Sequence, residues 1–464
     1  MAISFDDTNL RAEMVGEKNG LTQDEIAQAL PLARAALDGF RTSYAHGLYG
    51  FPDLPSQTET VKAILKYSAS IKGTYDTVCL LGIGGSALGA WALDCGIRGP
   101  HPVQPAFSAT NPRLVILDNV DPSFTSAALA SMNAKKTIVV VVAKSGATAE
   151  TIATFLIVRE WLATRMGKKA NERIAVVTSS GKGDLKQLAT AENYQTFHLP
   201  DNVGGRFSVL SAVGLLPAAL VGFDVRKVLK GAARMNDDCW SDSLETNVAL
   251  RSALMQYLIW TRRNKSIQVA FPYANKLSGM AFWFRQLWAE SLGKARSRSG
   301  SEIHVGQTPI AALGTTDQHS QVQLYMEGPN DKVFSFWAVG RFPDSGRIPK
   351  TKAGYEGFDY LAGQSLSKLI DAERRATAAS LTENGRPNCT YTIDKIDEEH
   401  LGAFMQLLEF QTAYMGGLLD INAFDQEGVE LGKKFTYALM GRKGFDEFAD
   451  RFHAYESKRK KLTS

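Results

Sequence analysis

At 464 residues, the chain exceeds a single typical domain of about 100–200 residues, so two or three domains are expected. Hydrophobic residues make up 44% and charged residues 22%, a balance typical of globular proteins that excludes a disordered polymer, a collagen and a coiled coil. The net charge of +4 equals that of the basic run 458–461 alone, so the balanced remainder does not indicate a nucleic-acid or membrane binder.

The first half of the chain predicts a parallel sheet after a helical start. Residues 1–70 are predicted to be helical, with Thr22 and Glu25 as a capping box. Continuous apolar runs then alternate with helix-like segments, which predicts strands buried on both faces of a doubly wound sheet. The predicted strands are 77–81, 114–117, 137–143, 174–178 and, with a weaker pattern, 194–199, followed by a helix near 207–221.

The second half repeats this pattern after a long helical stretch at 226–263. Strands are predicted at 267–271, 310–313, 333–339 and 390–393, and helices at 280–294, 401–415, 428–439 and in a short final segment. The predicted fold class is α/β, with two doubly wound parallel-sheet domains (αβα sandwiches) and helical N- and C-terminal additions. The predicted segments are 1–70 (N-terminal helical segment), 71–225 (first αβα domain), 226–440 (second αβα domain) and 441–464 (C-terminal helix and basic tail).

The cysteines and the N-terminus favour a cytoplasmic protein. The four cysteines lie far apart and predict neither a disulfide framework nor a metal site, which favours a reducing compartment. The N-terminus lacks the basic region followed by an apolar segment that is typical of a secretory signal, so no such signal is expected. The longest apolar stretch, 209–223, contains Pro217 and is shorter than the ~20 residues that span a bilayer.

Three Gly-containing turns follow predicted strands of the first half, where ligands of such sheets bind. Gly82–Ser86 (GIGGS) can bring backbone N–H groups to an anion, with Ser86 capping the next helix. The alternatives are a turn that needs glycine for steric reasons and a dinucleotide fingerprint. That fingerprint requires an acidic residue ~20 positions further on, whereas Asp118 lies well beyond that distance.

The second turn combines an ammonium and two hydroxyls in Lys144-Ser145-Gly146-Ala147-Thr148, before a helix from about Glu150. Together with the first turn it predicts a site for a phosphate monoester, although Ser and Thr are also ordinary helix caps. The spacing of a nucleotide-binding P-loop is absent. The third turn places Arg206 after Gly204 and Gly205, and a guanidinium suits an oxyanion that develops during a reaction.

The segment 280–294 predicts a buried helix that carries a base. It is apolar nearly all round, and Gln286 and Glu290 would share one face at i,i+4, which favours proton transfer by Glu290. The alternative is a Glu290–Lys294 surface ion pair. The seven histidines form no metal-type pair, and composition alone does not single out His319.

Taken together, these motifs resemble the phosphoglucose isomerases (glucose-6-phosphate isomerases), in their short bacterial form with sugar-isomerase-type domains. The resemblance rests on GIGGSALG at 82–89, KSGATAET at 144–151, NVGGRFSVLSAVG at 202–214, QLWAESLGK at 286–294, GTTDQHSQVQL at 314–324 and INAFDQEGVELGKK at 421–434. It implies reversible isomerisation of glucose 6-phosphate and fructose 6-phosphate through ring opening and a cis-enediol intermediate. No cofactor, metal, nucleic acid or membrane is implied.

The resemblance also implies roles for particular residues. Glu290 would move the proton between C2 and C1, and Arg206 would stabilise the intermediate. His319, donated by a neighbouring subunit of a homodimer with shared active sites, and Lys433 would open and close the sugar ring. The implied substrate- and phosphate-binding residues are Gly85, Ser86, Lys144, Ser145, Thr148, Gly205, Gln286 and Gln426. Ala143 and Ala147 replace hydroxyls of longer members, which predicts fewer phosphate donors.

Two other classes of protein remain as alternatives. A non-catalytic sugar-phosphate sensor would need only the phosphate turns, whereas this chain also has Glu290, Arg206, His319 and Lys433. A nicotinamide-dependent oxidoreductase is disfavoured because the acidic residue of its fingerprint is misplaced.

Overall fold

A computed structural model describes residues 3–100, 104, 106–146, 148–181, 183–352 and 355–463; Ala147 of the second turn lies outside the described residues. The strands are β1 (Ile3–Asp6), β2 (Thr77–Leu81), β3 (Arg113–Leu117), β4 (Thr137–Val142), β5 (Ile174–Ser179), β6 (Gln195–Leu199), β7 (Ile267–Pro272), β8 (Lys294–Arg296), β9 (Glu302–Val305), β10 (Thr308–Ala311), β11 (Lys332–Val339) and β12 (Asn388–Ile393).

The helices lie between and after these strands. They are α1 (Ala12–Val15), α2 (Gln23–Ala45), α3 (Thr58–Ile71), α4 (Leu88–Arg98), α5 (Pro122–Ser131), α6 (Ala149–Met166), α7 (Asp184–Ala191), α8 (Ala212–Leu220), α9 (Val225–Cys239), α10 (Val248–Arg263), α11 (Ser278–Leu292), α12 (Val322–Glu327), α13 (Leu366–Glu383), α14 (Glu398–Leu418), α15 (Glu430–Leu439) and α16 (Asp446–Thr463).

The first sheet has the strand order β3-β2-β4-β5-β6, and all its strands are parallel. Both faces are covered, because along β4 Ile138 and Val140 pack into one hydrophobic core while Val139 and Val141 pack into another. The chain reverses its winding direction between β2 and β4, so the turns after these two strands meet at the topological switch point. This confirms the predicted doubly wound arrangement and places the GIGGS and KSGAT turns side by side.

The second sheet has the order β1-β12-β11-β7-β10, and its four parallel strands are arranged as the first four strands of the first sheet. The fifth strand differs, because β1 pairs antiparallel with β12, with Ile3 opposite Ile393. The prediction that residues 1–70 are helical was therefore wrong for 3–6. A strand of four residues with only two apolar positions gives a weak periodic signal in the sequence. Its partner strand also lies far away along the chain.

Other boundaries differ from the predictions in ways that the local sequence explains. The single helical stretch at 226–263 is two helices, because the Asn247 side chain accepts from Leu250 N at 2.9 Å and starts α10 anew. The final segment, expected to be short, is the 18-residue helix α16. A two-stranded ribbon of β8 and β9 was not predicted, since its sequence is rich in Ser, Gly and Arg. The capping box at Thr22 and Glu25 is confirmed.

Helix α14 lies at the centre of the molecule, buried from Leu401 to Gly416, with α2, α9, α10 and α11 packed against it. The two C-terminal helices α15 and α16, by contrast, have no buried residue among those described. The segment boundaries at residues 70, 225 and 440 remain a prediction.

Candidate active site

The GIGGS turn and the NVGGR turn are in direct backbone contact. A Cβ atom at Gly85 would lie 2.3 Å from the Gly205 carbonyl oxygen and 2.7 Å from Arg206 N, so only glycine permits this approach. At Gly84 a Cβ would lie 2.8 Å from Gln286 Nε2. The first turn, the third turn and helix α11 therefore meet at one point, at the carboxyl end of β2.

Helix α11 presents Gln286 and Glu290 to this point, as the i,i+4 spacing predicts. Gln286 Nε2 donates to Glu290 Oε2 at 3.1 Å, and the Glu290 side chain is 23% exposed. Gln286 Oε1 is buried and has no hydrogen-bond partner in the described part of the chain. Such an orphan acceptor is costly unless a ligand donates to it, so the pair can receive a hydroxyl group.

The alternative of a Glu290–Lys294 surface ion pair is wrong. Lys294 Nζ pairs with Asp425 Oδ1 at 2.8 Å and reaches Glu290 only through its backbone carbonyl, at 3.1 Å. The Glu290 carboxylate thus lies against Gln286 and Arg206 and is left open to a substrate.

Arg206 is the most constrained charge of the site, with a side chain only 2% exposed. Its guanidinium donates to Ser291 Oγ at 2.7 Å, Gln426 Oε1 at 3.1 Å, the Ala423 carbonyl at 2.6 Å and the Asp425 carbonyl at 2.8 Å. Its Nη1 lies 3.8 Å from Glu290 Oε2. Burial lowers the pKa of Arg206, whereas the carboxylates of Glu290 and Asp425 raise it. An arginine stays protonated, so a fixed positive charge faces the Glu290 carboxylate.

The second turn is tied to the third by Lys144. Its Nζ donates to the Asp201 carbonyl at 2.7 Å and the Val203 carbonyl at 2.8 Å, which uses two of the three ammonium donors. Burial lowers the pKa of Lys144. The sequence predicted a direct phosphate contact for this residue, whereas the structure adds a positioning role for the adjoining turn.

The hydroxyls of the first two turns do not act as helix caps. Ser86 was expected to cap the helix after the first turn, and this was wrong, because the N-cap residue of α4 is Ala87. Thr148 stands at the N-cap of α6 but its side chain makes no cap hydrogen bond. Ser145 is exposed at the same helix start. The Thr148 side chain thus stands free of a cap bond at the N-terminus of α6, where negative charge is favoured.

Two predicted site residues are not joined to this cluster. His319 ends the 3-10 turn Thr316–His319 and is exposed. Lys433 on α15 is 43% exposed and pairs with Glu430 at 2.7 Å. Within the described ranges, no hydrogen bond or ion pair connects either residue to Glu290 or Arg206.

Several residues that hold the site together were not predicted as site residues. They are Ser291, Lys294, Ala423 and Asp425. All four lie inside the motifs QLWAESLGK and INAFDQEGVELGKK, but only the fold reveals that these motifs bind each other. Among the described residues, no group of His, Cys, Asp and Glu suits a metal ion, and none of the described helices is long and apolar enough to cross a membrane.

Two sheets of matching strand order, with a buried helix that sets a carboxylate beside the first switch point, define the sugar-isomerase fold class. The sequence profile of the phosphoglucose isomerase family matches residues 56–454. The chain belongs to this family.

Similar proteins match this chain over most of its length. A glucose-6-phosphate isomerase of Carboxydothermus hydrogenoformans is 40% identical over 96% of this chain and 96% of its own, and one of Rubrobacter xylanophilus is 42% identical over 96% and 99%. The crystal structure of a hypothetical protein from Thermus thermophilus has a TM-score of 0.84 at 34% identity, over 94% of this chain and 99% of that one. A Chlamydia trachomatis glucose-6-phosphate isomerase has a TM-score of 0.72 at 25% identity, over 86% and 76%.

Proposed function

We propose that this protein interconverts glucose 6-phosphate and fructose 6-phosphate. The observation that carries the proposal is the buried Arg206 guanidinium 3.8 Å from the Glu290 carboxylate, at the switch point of the first sheet. A base beside a fixed cation is what an enolisation requires, because the negative charge that forms on proton removal is met by a preorganised donor. The names of the relatives support the same reaction.

The reaction moves one hydrogen from C2 to C1 and one hydroxyl proton from O2 to O1, with no net change in oxidation state. In the open-chain aldose, Glu290 removes the proton from C2, and the electrons of that C–H bond form the C1–C2 double bond of a cis-enediolate. The negative charge collects on oxygen, next to Arg206. The O2 hydroxyl proton passes to O1, which moves the negative charge to O2. Glu290 then returns its proton to C1, the C1–C2 double bond is lost, and O2 becomes the ketone carbonyl while O1 stays a hydroxyl. Gln286, whose Oε1 is an orphan acceptor, binds a sugar hydroxyl during this exchange.

The phosphate end of the substrate is held by the first two turns. Ser86, Ser145 and Thr148 supply hydroxyl donors, and Lys144 supplies positive charge at the N-terminus of α6. Binding energy from this remote group holds the reacting carbons against the base. Gly85 allows the backbone of the first turn to approach that of the third turn at Gly205, and Gln426 lies beside Arg206 near the sugar.

Ring opening and closure are assigned to His319 and Lys433. The exposure of His319 supports its donation to a neighbouring subunit, so that a homodimer shares two sites. Lys433 would approach its own site from α15. All four cysteines are buried free thiols, which supports a reducing, cytoplasmic location.

The direct test is a coupled assay that converts fructose 6-phosphate to glucose 6-phosphate with a chelator and no added metal. Turnover is expected. If the purified protein binds the sugar phosphate and yet gives no product, it is a sensor on the same fold. A thermal shift with a nicotinamide cofactor would instead favour the oxidoreductase alternative.

The hydroxyl at the start of α6 offers a test of the phosphate site. Thr148→Val keeps the shape of the side chain and removes its donor, so it should raise KM for fructose 6-phosphate by about 10- to 150-fold, the loss of one charge-assisted hydrogen bond. Inhibition by inorganic phosphate should weaken by the same factor, while weak inhibition by unphosphorylated glucose stays unchanged. Lys144→Ala should have a larger effect, because it also releases the turn at 201–203. Equal losses for both inhibitors would mean that Thr148 acts on the fold.

The shared site can be tested by complementation between two inactive variants, Glu290→Gln and His319→Ala. After joint unfolding and refolding in equal amounts, random pairing makes about half of the dimers mixed, each with one intact site. Roughly a quarter of wild-type activity should therefore return. If His319 acts within its own chain, every site keeps one lesion and mixing restores nothing. Each variant refolded alone is the control.

A further inference from the structure

Lys294 binds the base-carrying helix to a distant loop. It begins β8, two residues after the end of α11 and four residues after Glu290, and its side chain is 10% exposed. Its ammonium contacts the Glu290 carbonyl at 3.1 Å, the Asp425 carbonyl at 2.6 Å and Asp425 Oδ1 at 2.8 Å. An ammonium has three donors, and these contacts occupy all of them. Lys294 is therefore a connector within the protein.

The Asp425 carbonyl is also an acceptor for Arg206, whose Nη2 donates to it at 2.8 Å. Two cations thus hold one backbone oxygen. The next residue, Gln426, accepts from Arg206 Nη1 at 3.1 Å through its side chain. The position of residues 425 and 426 consequently sets two of the four contacts that orient the guanidinium.

We infer that Lys294 is a positioning residue, which fixes Arg206 and Gln426 relative to Glu290 by clamping Asp425 to the end of α11. The inference rests on the proposed function and adds a residue that touches neither substrate nor reacting atoms. Lys294 would act through its positive charge. Without Lys294, the Asp425 carboxylate loses its ion-pair partner and can turn toward the buried guanidinium of Arg206. This turn would draw Arg206 away from the negative charge that develops on the substrate.

The defining test is Lys294→Met, which keeps the apolar stem and removes the donors and the charge. Because Arg206 acts on charge that is absent from the bound substrate and develops on the way to the enediolate, kcat should fall by about 10- to 100-fold, while KM for fructose 6-phosphate changes less than about threefold. Lys294→Arg, which can still reach both Asp425 oxygens, should recover most of kcat.

A binding readout separates positioning from general damage. A phosphorylated aldonate carries a carboxylate where the enediolate charge develops, so its affinity should fall with kcat, by about tenfold or more. Inorganic phosphate, which needs only the first two turns, should inhibit Lys294→Met as it inhibits the wild type. A merely structural role would weaken both ligands together.

The matched control is Lys332→Met. Lys332 is another lysine with a side chain only 6% exposed, and it contacts the Pro329 carbonyl at 3.3 Å and Asp331 Oδ1 at 2.5 Å, in the second sheet. It should lower the melting temperature without changing kcat of the folded enzyme. A Lys294→Met enzyme with wild-type kcat, or one that loses phosphate and aldonate equally, would overturn the inference. Absence of turnover in the wild type would instead refute the proposed function.

Discussion

Replacing Glu290 with glutamine is expected to lower kcat for isomerisation by about 10²- to 10⁴-fold and to leave substrate binding nearly intact. The amide keeps the shape of the side chain and can still accept from Gln286 Nε2, as Glu290 Oε2 does at 3.1 Å, but it cannot take the C2 proton. Incorporation of solvent deuterium at C2 of the substrate is the direct measurement, and it should cease with turnover.

Glu302→Gln serves as the matched control, because this glutamate is 68% exposed on the β8–β9 ribbon and pairs only with His304 in the described structure. It should leave kcat and exchange unchanged. If Glu290→Gln still exchanges the C2 proton at the wild-type rate, another group is the base. Loss of substrate binding in this variant would indicate a contact with the ground state of the sugar.

The substitution Arg206→Lys is expected to lower both kcat and the free energy of unfolding. A lysine keeps the charge but loses the planar fork that reaches four acceptors, so kcat should fall by about 10²- to 10³-fold. At least one buried acceptor near Ala423 or Ser291 is left unpaired, and the free energy of unfolding should fall by roughly 1–3 kcal/mol. Steady-state kinetics and denaturant unfolding measure the two losses separately.

A substitution at a second buried arginine serves as a control that distinguishes the loss of kcat from the loss of stability. Arg98 is 4% exposed, pairs with Asp94 at 2.8 Å and lies at the far end of α4 from the GIGGS turn. Arg98→Lys should destabilise the fold to a similar degree and leave kcat of the folded enzyme as it was. If it lowers kcat as strongly as Arg206→Lys does, the catalytic loss at Arg206 is a consequence of weakened packing.

The fold was predictable where burial leaves a direct trace in the sequence. The runs that became β2 and β4 are apolar at nearly every position because each strand faces a core on both sides, and the turns after them had to meet at the switch point. The strand β1 and the ribbon of β8 and β9 were missed because their stability comes from partners and not from their own composition.

The site was predictable only in part, for a related reason. The i,i+4 spacing put Gln286 and Glu290 on one face of a helix, and this local geometry needed no tertiary information. The contacts of Arg206 with residues 423–426 join segments about 220 positions apart, and no periodicity records such a pairing. The roles of His319 and Lys433 came from resemblance alone and remain proposals.

The pairing of Ile3 with Ile393 has a consequence for synthesis on the ribosome. The strand β1 leaves the exit tunnel before every other described strand, and its only strand partner in the described structure, β12, is the last of them to follow. At ~5–20 residues per second, the nascent chain carries an unpaired edge segment for tens of seconds, during which the first sheet can already be complete. The second sheet therefore closes after the first, once β12 has emerged, and a truncated chain that ends before residue 388 would have β1 unmatched.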